Sequence, residues 1–315
     1  MCARRLVAFG TIFCVVGGIC GQASAEYYNW STTSFDNGGQ QSALALYEYE
    51  LPAAPAAGAP GPLGNDTPKQ VHIEVRIATV NQDDCGLDFR SFTTLTDSLY
   101  ERIDDNGAIG AVDLAVDKSG TSVVAYTNST YTSLNFGQKA ALLWVLKQLK
   151  SHANTPLRPS IATFLDGEAA IASALYGDNI HIDFLTALKH WTISEKVLGG
   201  PKIKCFSDQS AAVIAGTYNG LRYYLYDPIS EDWTGDNVEM PGTGIPYFSH
   251  YSRIVGVGMI DARFAAVRGD PAEGEQFEIY GQGNSFVRLD NIDAPDQFIM
   301  AIDLAEDNDG HLYIA

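Results

Sequence analysis

Short apolar runs broken by turn residues recur along the chain from about residue 43 to its end. In the clearest stretch, Val112-Asp113-Leu114-Ala115-Val116 leads through Asp117-Lys118-Ser119-Gly120 into Ser122-Val123-Val124-Ala125-Tyr126. After a polar loop come Leu134-Asn135-Phe136 and then Leu142-Leu143-Trp144-Val145. Such runs, rich in β-branched and aromatic residues and bounded by Gly, Asp, Asn and Ser, predict strands.

The same four-strand unit returns with Ser160–Phe164, Ala170–Ala172, His181–Phe184 and Trp191–Ile193. It appears again in Ala212–Ala215, Leu221–Tyr224 and Trp233-Thr234, and in Arg253–Val255, Phe264–Val267, Phe277–Tyr280 and Phe286–Arg288. A less regular first copy uses Ala43–Leu46, Val71–Val75, Leu87–Arg90 and Leu99–Glu101. Val124, Ile171, Val213, Ala265 and Tyr313 mark successive second strands, in steps of 47, 42, 52 and 48 residues. All four tryptophans (Trp30, Trp144, Trp191 and Trp233) open a predicted fourth strand, and Tyr100 and Phe286 fill that position elsewhere.

Four antiparallel strands per unit of 40–50 residues is the pattern of a β-propeller blade, whose two apolar faces are buried only by stacking on neighbours. A two-layer sandwich of unrelated strands is the alternative. The expected fold is therefore all-β, a propeller of about six blades of four antiparallel strands. Its last blade would combine Met300–Leu304 and His311–Ala315 with an N-terminal strand at Tyr28–Thr32, and would lack its third strand unless the chain is a truncated piece. Small residues in the first strands (Ala45, Ala115, Ala162, Gly256) suit the crowded axis, and aromatics of the fourth strands suit the wide outer part of each wedge.

Composition adds limits. Of 315 residues, 46% are apolar and 18% charged, a globular balance. Twenty Lys and Arg against 38 Asp and Glu give a net charge of −18, which argues against a nucleic-acid partner. Residues 1–25 read as a secretory signal peptide: Arg4 and Arg5, an apolar run from Leu6 to Cys20 too short to span a bilayer, and Ala23-Ser24-Ala25 before Glu26. The expected location is secreted or periplasmic. Residues 26–315 then form the propeller domain, expected to be a monomer without a membrane span, with a Pro/Ala/Gly-rich loop insertion at 52–68. The leader removes Cys2, Cys14 and Cys20, leaving Cys85 and Cys205, expected to be unbonded because they fall in opposite parts of the ring.

These repeats resemble the secreted bacterial sialidase-like propellers with Asp-box (bacterial neuraminidase) repeats. Asp113–Gly120 and Asp303–Gly310 match the opening of that unit, His72-Ile73 and His311-Leu312 its second-strand entry, and Asn219–Tyr223 and Trp191–Val197 the remainder. The resemblance covers most of residues 27–315 and implies the propeller fold. No unit carries the strict Ser-x-Asp-x-Gly-x-Thr-Trp box, and of the three arginines needed to converge on a sialic-acid carboxylate only Arg253 falls in a predicted first strand, so sialidase catalysis is not implied.

No recognised catalytic motif is present: no G-x-S-x-G, P-loop, G-x-G-x-x-G or H-E-x-x-H. Asp307-Asn308-Asp309-Gly310 lacks the first ligand of a calcium loop, because Ala305 stands there, and reads as an ordinary turn. No cofactor or metal is expected. Arg268-Gly269-Asp270 spells an adhesion tripeptide in what the pattern places in a polar loop. Tyr223-Tyr224-Leu225-Tyr226 reads as a strand alternating between core and solvent. Loops after second and fourth strands share one face of the ring, where Asp83, Asp84, Tyr247, His250, Arg268, Asp270 and Glu273 gather. Tyr247, His250, Arg268 and Asp270 are the candidate ligand-binding residues. The expected function is a non-catalytic module binding a protein or a glycan; a glycan-cleaving hydrolase or lyase with carboxylates in the axial cleft, and a structural segment of a larger surface protein, are the alternatives.

Overall fold

A computed structural model of the chain describes residues 41–314 apart from connecting segments, of which the longest are 52–69, 238–246 and 295–303. The leader at 1–25, the strand expected around Trp30, the 52–68 insertion, Gly256 and the 307–310 turn all lie outside the described residues.

The described chain is all β. Blade 1 contains β1 (Gln41–Leu51), β2 (Gln70–Asn81), β3 (Gly86–Phe92) and β4 (Ser98–Asp104). Blade 2 contains β5 (Val112–Val116), β6 (Ser122–Thr127), β7 (Ser133–Ala140) and β8 (Leu143–Ser151). Blade 3 contains β9 (Ser160–Thr163), β10 (Ala169–Ala174), β11 (Ile180–Phe184) and β12 (Lys189–Ile193). Blade 4 contains β13 (Lys202–Cys205), β14 (Ala211–Thr217), β15 (Gly220–Asp227) and β16 (Asp232–Asn237). Blade 5 contains β17 (Tyr247–Val255), β18 (Arg263–Asp270), β19 (Gly274–Gln282) and β20 (Phe286–Ala294), and β21 (Leu304–Glu306) pairs with β22 (Leu312–Ile314) in a sixth sheet.

Each four-stranded sheet is an antiparallel meander in sequence order. The first strands β1, β5, β9, β13, β17 and β21 pack on one another in succession. They line the axis while the fourth strands form the outer rim. This is the β-propeller that the spacing of the second strands predicts. Second strands are sandwiched on both sides, which explains why β6, β10 and β14 are buried at every position and read as continuous small or branched apolar runs. The same cover corrects the expected alternation at Tyr223–Tyr226: all four residues are buried, because blade 4 has a neighbour on each face.

The blades are bolted together near the axis by polar side chains. The Asp113 carboxylate accepts from Ser160 Oγ at 2.9 Å and from the Ile161 amide at 3.0 Å, and Ser160 Oγ accepts from the Ile203 amide at 3.3 Å. One hydrogen-bonded chain thus crosses the first strands of blades 2, 3 and 4.

The first-to-second-strand turns repeat in atomic detail. Asp117, Phe164 and Phe206 each donate their amide to the carbonyl four residues on, and accept from the amide three residues on, which belongs to Gly120, Gly167 or Gln209. That third residue has φ of 85°, 88° and 67° respectively, in the left-handed region that favours glycine. Aspartates close these turns: Asp117 accepts from the Thr121 amide, Asp166 from the Glu168 amide and Asp208 from the Ser210 amide. Gln209 is the one of the three that bears a Cβ in this conformation. Gln209→Gly is expected to raise stability by about 0.5–1 kcal/mol, read as a higher urea midpoint; a lower midpoint contradicts it.

Both described cysteines are free, as their positions in the repeat predict. Cys205 is fully buried on β13, and desolvation pushes its thiol pKa well up.

Candidate functional site

Aromatic side chains fill two of the described blade interfaces. Between blades 1 and 2, Phe89 meets Trp144 edge to face at 5.1 Å over a buried layer that includes Leu87, Val124 and Tyr126. Between blades 3 and 4, Phe184, Trp191, Tyr226 and Trp233 form a connected cluster with centroid separations of 4.7–6.5 Å. Trp144 and Trp233 are each the second residue of a fourth strand and face the preceding blade. Trp191 is the third residue of β12 and faces the following one. Because side chains alternate across a strand, this one-residue offset moves the indole to the other side of the sheet, and the three described tryptophans do not occupy a single equivalent position as their spacing suggested.

The consequence falls on the interface between blades 2 and 3, which receives no tryptophan. Its inner part is closed by Val123, Ala125, Leu134, Phe136, Ile161, Ala169 and Ile171. Outside that layer a groove of about 230 Å³ opens. One wall is Phe136 and Gln138 of β7 with Val145 and Lys147 of β8; the other is Gly167 and Ala169 at the β9–β10 turn with Leu185 and Thr186 at the β11–β12 turn. Phe136, Val145, Ala169 and Leu185 supply apolar surface. The Gln138 amide, Thr186 hydroxyl and Lys147 ammonium supply hydrogen-bonding groups in exposed positions.

Beside the groove the polar face of blade 3 meets blade 2. Asp183 joins Lys150 across the interface at 2.9 Å and His190 Nδ1 at 2.7 Å. His190 Nε2 lies 3.1 Å from Thr192 Oγ1, His181 Nδ1 lies 3.2 Å from the same oxygen, and the two imidazoles stack at 5.5 Å. At the groove's other lip, Glu168 accepts from the Ala187 amide at 2.7 Å and Asp166 from the Glu168 amide at 3.1 Å. Each of these three carboxylates is thus engaged in holding the walls.

Burial lowers the His181 pKa, assisted by the positive charges of Lys150 and His190 and opposed by Asp178 and Asp183. A depressed folded pKa favours the neutral ring. The stability it represents is therefore present above the unfolded histidine value of about 6.5 and is lost as pH falls through the folded value. The urea midpoint is expected to fall between pH 7 and pH 5, and His181→Asn is expected to flatten that dependence; an unchanged slope contradicts the assignment.

The candidate residues read from the sequence lie in the first two strands of blade 5. Tyr247 and His250 lie within β17, and Arg268 and Asp270 within β18, so the Arg268-Gly269-Asp270 tripeptide is part of a strand and not of a polar loop. Tyr247 and Arg268 are direct cross-strand partners, Asp270 pairs with Gly274 at the end of β18, and His250 falls in the irregular stretch between Phe248 and Arg253. These ends of β17 and β18 belong to the opposite face of the ring from the turns that line the groove. Asp84, on that same opposite face, is held by Arg102 Nη2 at 2.6 Å, which keeps its carboxyl below the usual range, and its other oxygen accepts the Gly86 amide. Among the described residues, no group of three or more His, Cys, Asp or Glu side chains is arranged to hold a metal ion.

The groove combines strand faces of blade 2 with two turns of blade 3, an assembly that no single connecting loop reveals. A signal was present: His181-Ile182-Asp183-Phe184 and His190-Trp191-Thr192-Ile193 both alternate polar with apolar, so one face of blade 3's outer half had to be polar.

No protein-family model and no curated protein matches the chain. Solved structures do. A mutant of Aleuria aurantia lectin in complex with α-methyl-L-fucoside superposes with a TM-score of 0.54 at 10% identity, covering 87% of each chain. AofleA from Arthrobotrys oligospora gives 0.53 at 8% identity over 88% of this chain and 83% of its own. The Aleuria aurantia lectin structure described as a six-bladed β-propeller gives 0.51 at 12% identity over 72% of this chain and 76% of its own. Similarity at these identities fixes the architecture as a propeller.

Proposed function

We propose that this chain is an exported, non-catalytic carbohydrate-binding propeller whose sugar sits in the groove between blades 2 and 3. The observation that carries this reading is the groove itself. It is an interblade gap that receives no tryptophan, with an apolar floor for the C–H face of a sugar and amide, hydroxyl and ammonium groups at its mouth for sugar hydroxyls. The fucoside complex of the similarly folded Aleuria aurantia lectin supports carbohydrate as the ligand class. No carboxyl group is among the residues that line the groove, which supports binding over hydrolysis by a flanking carboxyl pair.

The test is a glycan panel probed with the purified protein, with release of reducing sugar as a second readout. Retention of a subset of glycans without release supports the proposal. Absence of retention, or release of product from a retained glycan, overturns it.

A further inference from the structure

The outer strand of blade 2 is an open edge. Among the described strands β8 pairs with β7 alone, and the pairing is regular from Leu143 opposite Ala140 to Gln148 opposite Asn135 before the register shifts. In an antiparallel sheet alternate residues of an outer strand turn their amide and carbonyl away from the neighbour. This run therefore offers a straight row of hydrogen-bonding groups to a further strand. Its side chains are apolar on both faces: Leu142, Leu143, Val145 and Leu146 are exposed by 88%, 74%, 57% and 41%. Val145 lines the groove toward blade 3, and Leu143 shares its face; Leu146 shares the opposite face with Trp144, which reaches Phe89 of blade 1. Charges interrupt the other outer strands, with Glu101 in β4, Lys189 in β12, Asp232 in β16 and Asp290 in β20. β8 has none before Lys147.

Charge narrows the choice of partner. No Asp or Glu occurs between Lys118 and Leu165, a stretch with five Lys and Arg in a chain that has 38 acidic residues. Neighbouring blades neutralise two of these cations: Glu101 holds Lys139 at 2.8 Å and Asp183 holds Lys150 at 2.9 Å. Lys147 is exposed and has no carboxylate partner among the described residues. A chain laid along β8 thus meets an apolar run, then an unpaired ammonium, and no carboxylate on the strand itself. A second copy pairing β8 with β8 would bring Lys147 and Lys150 of both strands into one ribbon with no carboxylate on either to balance them.

We propose that β8 is a docking edge for an extended peptide segment of a partner protein, apolar where it meets Leu143 to Leu146 and acidic where it meets Lys147. Antiparallel addition continues the meander of blade 2 as a fifth strand, so the acidic residues stand at the N-terminal end of the bound segment. Main-chain hydrogen bonds supply affinity, while the apolar run and Lys147 supply selectivity. An anionic polysaccharide would answer Lys147 alone and leave the aliphatic side chains in water. Val145 and Lys147 also border the groove, whereas Leu143 and Leu146 do not line it. Substitutions at the latter two therefore probe the edge without removing a groove residue.

The experiment is fluorescence anisotropy of the full chain with the peptide acetyl-EEVTVTV, labelled with fluorescein at its C-terminus. The peptide is expected to bind, and its charge-inverted form acetyl-KKVTVTV and its apolar-depleted form acetyl-EESTSTS to bind at least fivefold more weakly. L143S/L146S is expected to weaken binding at least tenfold at an unchanged melting temperature, and L143I/L146I to bind like the wild type. A chain that retains no glycan yet binds the acidic peptide in this pattern leaves the inference standing, which separates it from the carbohydrate reading. No binding of the acidic peptide, equal binding of either altered peptide, or a serine variant that binds like the wild type overturns it. So does a dimer in sedimentation velocity that L143S/L146S dissociates, because it assigns the edge to a second copy.

Discussion

Phe184→Ala is expected to destabilise the protein by about 3–5 kcal/mol, the largest effect of any single truncation considered. Phe184 is buried at the end of β11 and touches Phe164 at 5.1 Å, Trp191 at 4.7 Å and Tyr226 at 5.0 Å, all in edge-to-face geometry. Three such pairs, each contributing about 0.5–1.5 kcal/mol beyond area burial, are lost with one ring. The hole cannot collapse easily, because its walls belong to two different blades whose separation is set by the axial hydrogen bonds from Asp113 through Ser160 to Ile203. For a domain of this size the melting temperature is expected to drop by about 10 °C. Phe184→Leu, which keeps much of the volume, is expected to cost under half as much. Equal effects of the two substitutions in urea titrations contradict the stacked-ring account of this interface.

The second large effect concerns binding. Gln138 and Lys147 stand exposed at the groove mouth, so replacing both by alanine is expected to alter stability by no more than about 0.5 kcal/mol. Against a glycan retained by the wild type, the loss of one neutral and one charge-assisted hydrogen bond is expected to weaken binding by about 2–4 kcal/mol, roughly 30- to 1,000-fold. Val145→Trp, which fills the same groove with the kind of ring found in the neighbouring interfaces, is expected to abolish retention while leaving the fold intact. Isothermal titration with the best glycan from the panel checks both; unchanged affinity in Q138A/K147A removes the groove from the account.

The architecture was legible because a propeller writes its period into the chain. Each run read from sequence in blades 2 to 5 falls on an observed strand, although β8, β17 and β20 extend well beyond their runs and β13 had none, and the turn at Asp117–Thr121 recurs at Phe164–Glu168 and Phe206–Ser210 with the same backbone hydrogen bonds. The arrangement within an interface was harder to read, because it depends on single-residue offsets. Trp191 lies one residue further into its strand than Trp144 or Trp233, and repeat spacing measured in tens of residues is too coarse to register that shift, which decides which gap is filled and which is left open. Tyr247, His250, Arg268 and Asp270 share a face of the ring by repeat position, whereas the groove is assembled from side chains of strands and turns that look ordinary one at a time. The paired polar alternation at His181–Phe184 and His190–Ile193 was the clue, and it acquires meaning only when blade 2 is placed against it.

The most direct measurement is a crystal structure of the protein soaked with the tightest-binding glycan from the panel. The account predicts sugar density between β7–β8 of blade 2 and the β9–β10 and β11–β12 turns of blade 3, within hydrogen-bonding distance of Gln138 and Lys147. Density instead beside Tyr247 and Arg268, or along the axis of the ring, contradicts it.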